Sequence, residues 1–123
     1  MDPGPWHLLH RARPFTPNED RNAQHWGRRA SLTKHWREAF AALAREAEIP
    51  RCDRIMVAAI HERRNRASMP DIGGCYPTVK AAIDGLVDAG VIPDDGPAYL
   101  TRLIFLAPQV SGRDGLRLVV SRA

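Results

Sequence analysis

No stretch of about 18 consecutive apolar residues occurs anywhere in the 123-residue chain, which excludes a transmembrane helix of ordinary length. Cysteine is scarce: Cys52 and Cys75 stand alone, without CxxC spacing and without the even framework of a disulfide scaffold. Two free thiols are expected, and a zinc site is not. No internal repeat and no low-complexity segment is present. The opening residues, MDPGPWHLLHRAR, lack the basic-then-apolar order of a signal peptide. Together these absences predict a soluble, cytoplasmic protein. The length and the 44% hydrophobic content fit one compact domain over residues 1–123 with a modest core.

Charge is unevenly distributed. Residues 1–70 hold 13 Lys and Arg against 8 Asp and Glu, whereas residues 71–123 hold 5 against 6. Sixteen of the 18 basic residues are arginine, whose planar fork suits bidentate contact with phosphate. The first part of the chain thus reads as an electrostatic footprint and the second as the place for chemistry. A net charge of +4 would by itself be a weak argument for nucleic acid, and a general arginine bias explains the excess equally well.

Hydrophobic spacing predicts the elements. WHLLHRA (Trp6–Ala12) reads as a first strand stopped by Pro14 and Pro17, followed by a polar, basic loop. Leu32, Trp36, Phe40, Leu43 and Ala47 recur with the helical period, and Pro50 ends the run, so a helix is expected over about 31–48. RIMVAAI (Arg54–Ile60) is short and continuously apolar, as in a central strand covered on both faces. A long loop, HERRNRASMPDIGGCY, leads to a second helix that begins near Pro77 and ends before Gly90, with Val79, Ile83, Leu86 and Val87 inward and Lys80, Asp84 and Asp88 outward. YLTRLIFLAP and LRLVVSR then suggest a terminal β-hairpin. The predicted order is β-α-β-α-β-β: an α+β domain with two main helices on one small mixed sheet.

The stretch VKAAIDGLVDAGVIPDD resembles the signature of the RusA family of phage and prophage Holliday-junction resolvases. Lys80, Asp84, Asp88-Ala89-Gly90 and Asp94-Asp95 fall on the family's lysine, its following aspartate, its helix end and its paired aspartates. More weakly, TPNEDRNAQHW resembles the family's basic loop, and ERRNR stands where the family carries an arginine cluster. The chain departs from the pattern in its acidic loop. Asp71 matches the first aspartate, but Gly73 and Gly74 stand at the second aspartate and the asparagine.

The resemblance implies a RusA-like fold and an endonuclease that uses Mg²⁺, or Mn²⁺ in its place, to act on four-way junctions in a phage-infected or lysogenic bacterial cell. It implies catalytic roles for Asp71, Lys80 and Asp95, and weak metal binding by Asp71, Asp95 and Asp94. DNA contacts fall on Arg21, Arg28, Arg29, Arg63, Arg64 and Arg66. The chemistry is coherent, because hydrolysis of a phosphodiester needs an in-line hydroxide and neutralisation of new negative charge. With one usual carboxylate missing, Glu62 or Asp94 would have to complete the set, and restoring aspartate and asparagine at Gly73 and Gly74 is expected to strengthen Mg²⁺ binding. A homodimer is expected, since a junction offers two symmetry-related strands. The alternative is a catalytically degenerate relative that binds DNA or a host protein without cutting. Plainer readings also stay open: Lys80 and Asp84 as a solvated i,i+4 pair, the Pro93–Gly96 stretch as a turn, and the two glycines as a turn needing positive φ.

Overall fold

The structure, a computed structural model, describes residues 4–16, 26–67 and 69–123. Strand β1 is Trp6–His10, helix α1 Trp26–Glu46, strand β2 Ile55–Arg63, helix α2 Tyr76–Asp88, and strands β3, β4 and β5 are Leu100–Phe105, Gln109–Val110 and Gly115–Arg122. The class is α+β, with a mixed five-stranded sheet and two helices. Among the described residues, no helix is long and apolar enough to cross a membrane.

Helix α1 starts at Trp26, earlier than its apolar spacing predicts. Its first turns carry arginine and alanine, good helix formers that hydrophobic periodicity cannot register. Further along, Trp36 and Phe40 are buried as expected, joined by Ala41 and Ala44. Helix α2 follows its expected bounds closely, with Pro77 in its first turn. Gly90 ends it at φ +83, where Gly90 N–H donates to the Val87 carbonyl and Val91 N–H to the Leu86 carbonyl. This is the paired closure that a residue in the left-handed region makes possible.

The strand order is β1-β5-β2-β3, with β4 pairing the end of β2. The expected hairpin between the last two long strands does not form. Strand β2 lies between them, parallel to β3 and antiparallel to β5. The physical reason is that β2 carries the longest unbroken apolar run of any described strand, Ile55–Ile60, and takes the centre, where both its edges are paired, while α2 makes the crossover that a parallel neighbour requires.

The buried strand residues share one face. Leu8 pairs with Leu118, which pairs with Ala59, and Trp6 pairs with Val120, which pairs with Val57. These side chains and those of Trp36, Phe40, Val79, Ile83 and Leu86 form one core. Strand β2 is central, as expected, and its two faces are covered differently. Its alternate residues Met56, Ala58, Ile60 and Glu62 lie on the face away from the core, covered in part by neighbouring strand side chains.

The two helices touch most closely at Gly85. A Cβ built there would stand 2.4 Å from the Arg37 carbonyl oxygen and 2.9 Å from the Ala41 nitrogen, so only glycine fits the crossing. Beside it, Arg37 donates two hydrogen bonds to Asp88, from Nε at 2.5 Å and Nη2 at 2.8 Å, and Arg45 donates to the Asp88 carbonyl at 3.2 Å. The outward-facing Asp88 thus clamps α2 to α1. Its carboxyl is held below the ordinary range by those Arg37 hydrogen bonds.

Candidate functional site

Strands β1 and β3 both run in the direction of β2, because β5 is antiparallel to β1 and to β2. Their carboxyl ends therefore face one end of the molecule, the side on which open α/β sheets generally receive ligands. The start of α2 lies there too, since it follows β2, and Phe15, Arg29 and Tyr76 share a cleft that brings the start of α1 beside it. The buried Thr78 hydroxyl fastens this arrangement by donating to the Phe15 carbonyl at 2.7 Å.

That cleft, about 310 Å³, is lined by Phe15, Arg29, Thr33, Tyr76, Pro77, Lys80, Ala81 and Asp84. Lys80 is its centre. The ammonium donates to Asp84 Oδ1 at 2.9 Å and to Asp95 Oδ2, a residue 15 positions away. Burial of the Lys80 stem disfavours its charge, but the hydrogen bonds to Asp95 and Asp84 outweigh that and hold its pKa above the ordinary value. The same bond keeps the Asp95 carboxyl below the usual range. The cluster is half-exposed, with side-chain exposures of 43% for Lys80, 33% for Asp95 and 30% for Asp84. An anion entering the cleft can reach the ammonium without unfolding anything.

Two of the residues singled out by the sequence, Lys80 and Asp95, are thus in direct contact. Asp94 is not part of the cluster: its Oδ1 accepts the Gly96 N–H at 2.7 Å, closing the turn after Pro93. Asp71 is exposed in the turn before α2, where its carbonyl accepts the Gly74 N–H at 2.9 Å and its carboxylate makes no ion pair with a described residue. Gly73 adopts φ +78, and a Cβ on Gly74 would lie 3.0 Å from the Asp71 carbonyl oxygen. Both glycines have a conformational reason to be where they are.

Glu62, considered as a replacement ligand, is committed elsewhere. It is buried on the sheet face away from α2, where it accepts hydrogen bonds from Arg11 at 2.9 Å and Arg117 at 2.8 Å. Burial raises its pKa, but the hydrogen bonds from Ser111 and Arg117 and the two arginine charges outweigh this and hold it low. Hard carboxylate oxygens are the right donors for Mg²⁺. Among the described residues, however, no three His, Cys, Asp or Glu side chains are grouped to hold a metal ion.

The described arginines of the expected DNA-contact set lie at the same end, whereas Arg51, Arg54 and Arg122 lie at the start of β2. Arg28 and Arg29 are exposed on the first turns of α1, and the first turn of that helix carries no acidic residue of its own. Arg64 and Arg66 are exposed beyond β2, while Arg63 is largely buried, 3.5 Å from Asp114 and bonded to the Ala67 carbonyl. Arg21 lies outside the described residues. Sequence reasoning missed Arg13 and Asp114, which complete a second cleft with Arg63 and Arg64. It also missed His61. The readable signal was the strand alternation that sets His61 and Arg63 on one side of β2. Both cysteines are buried free thiols, and burial pushes Cys75 up to about 11.

No protein-family model matches this sequence, and no curated protein matches it.

Proposed function

We propose that this chain is a RusA-like, structure-specific DNA endonuclease that docks on four-way junctions and presents the Lys80–Asp84–Asp95 cluster to a backbone phosphate. The observation that supports it best is the contact between Lys80 and Asp95, the two ends of the resolvase-like motif, at the mouth of a cleft that Lys80, Asp84 and Arg29 line. Arg28, Arg29, Arg64 and Arg66 supply sequence-independent phosphate contacts. Lys80 neutralises charge developing on the phosphate oxygens. Of the three aspartates that the resemblance offers to Mg²⁺, only Asp95 stands at the Lys80 cluster, and the ion when bound would supply a hydroxide and a second positive charge there. A C₂ dimer would offer two matching sites to the two symmetry-related strands.

A second reading, junction binding without cleavage, is favoured by one observation. The carboxylates that converge do so on an ammonium, and the described residues hold no group of three metal-ligating side chains. A labelled synthetic junction incubated with the protein and Mg²⁺ or Mn²⁺ separates the two. Symmetric nicks that EDTA abolishes support the nuclease; tight, salt-sensitive junction binding with no nick supports the second reading. Equal affinity for junction and linear duplex overturns both.

A further inference from the structure

Among the described residues, three buried side-chain nitrogens lack a hydrogen-bond partner, and all three belong to one strand end: Nδ1 and Nε2 of His61 and Nε of Arg63. A bare buried donor costs on the order of 1–3 kcal/mol, so such groups normally face a ligand or ordered water. His61 is 6% exposed, and the Arg63 side chain 12%. Two positions apart on β2, they point to the same side.

A polar cleft of about 270 Å³ opens there, lined by Arg13, Arg63, Arg64, Asn65, Ala67 and Asp114. The charges that act on the His61 ring are those of Arg63, Asp114 and Arg13, the same residues that line the cleft. Three guanidinium-bearing side chains thus surround one carboxylate. Asp114 Oδ1 stands 3.5 Å from Arg63 Nη1 and accepts the Arg64 backbone N–H at 3.0 Å, in the manner of an anion's oxygen.

We propose that this cleft is a phosphate-binding subsite, distinct from the Lys80 cluster, in which the Arg63 and Arg13 guanidinium groups receive a phosphate group, His61 stands buried behind Arg63, and Asp114 is the internal carboxylate that competes with the phosphate. A phosphate has oxygens enough to accept from the terminal nitrogens of several guanidinium groups at once, whereas the single Asp114 carboxylate meets Arg63 Nη1 only at 3.5 Å and leaves the buried Arg63 Nε and His61 ring without a partner. The inference deepens the nucleic-acid reading and rests on it for the source of the phosphate, a DNA backbone rather than a free phosphate or nucleotide.

The test follows the His61 ring and Arg63 Nε–H NMR signals of the full chain during titration with inorganic phosphate, against chloride at matched ionic strength. Saturable shifts with phosphate alone are expected. Arg63→Gln should weaken phosphate binding about tenfold or more, Asp114→Asn should tighten it severalfold, and Lys80→Ala should leave it unchanged. Identical shifts in chloride, or none, overturn the proposal. If Arg63→Gln fails to fold, Asp114→Asn decides, and unchanged or weaker phosphate binding in that variant overturns it. Displacement of phosphate by a four-way junction assigns the source as DNA. Phosphate saturation without displacement upholds the subsite but counts against the nucleic-acid reading, whereas tight junction binding with no phosphate shift overturns the subsite alone.

Discussion

Lys80 and Asp95 lie 15 positions apart in sequence and meet in a direct ion pair at the mouth of a cleft, with Asp84 on the same ammonium. The helix between them makes this possible: Lys80 projects from its second turn, and the chain beyond its glycine cap folds back beside it. Half-exposed pairs of this kind contribute little to stability, about 0–1 kcal/mol. Removing the pair is therefore expected to leave the fold intact.

Lys80→Ala and Asp95→Asn should each lower stability by less than about 1 kcal/mol, measured by urea denaturation. In the nuclease assay each should remove most junction cleavage while changing junction affinity far less, because charge stabilisation counts more in the transition state than in docking. A large stability loss in either variant would return the pair to a purely structural role.

Gly85→Ala is expected to be among the most damaging single changes in the protein. The added methyl group would meet backbone atoms of α1 at 2.4 and 2.9 Å, and backbone cannot step aside as a flexible side chain can. Overpacking of this kind costs about 1–3 kcal/mol, and the steep contact argues for the upper part of that range. Thermal unfolding of the purified variant checks it.

Replacing Gly73 by aspartate together with Gly74 by asparagine should also destabilise, by about 1–2 kcal/mol, because φ +78 at Gly73 is left-handed and the Gly74 site is tight against the Asp71 carbonyl. Denaturant titration of each single variant should show both contributing. Any gain in Mg²⁺ affinity from the new carboxylate is to be measured in the same variants by calorimetry.

Acid should weaken the fold in two stages. His61 is pushed down to about 4, first by burial and then by the Arg63 charge, so the unfolded chain binds its proton more readily than the folded one. Stability is then full above the unfolded histidine value near 6.5, falls as pH drops from there to about 4, and that loss is absent from His61→Gln. Below this, Asp88, Asp95 and Glu62 act together. Their folded values lie below the ordinary ones, so the stability they contribute is present above the unfolded carboxylate range and disappears as pH falls through the lower folded values. Unfolding free energies at pH 7.5, 5.5 and 4 in the parent and in His61→Gln resolve the first stage.

Local chemistry was legible from the residues alone wherever one element decides the outcome. The inward faces of α1 and α2 follow from the spacing of Trp36, Phe40, Val79, Ile83 and Leu86, and the end of α2 from Gly90, because helical period and left-handed capping are properties of a few consecutive residues. The central place of β2 follows from its apolar composition. Everything that depends on which segments become neighbours needed the tertiary structure. Whether the last strands pair with each other or flank β2 is not encoded in either strand's own pattern. Nor does Glu62 disclose that Arg11 and Arg117 will claim both its oxygens, or Asp94 that it will close a turn while Asp95 takes Lys80. Gly85 reads in sequence as a weak point in a helix, and only the approach of Arg37 and Ala41 shows why nothing larger fits. Spacing along the chain sets a residue's face, but contact across the chain depends on packing that no single segment contains.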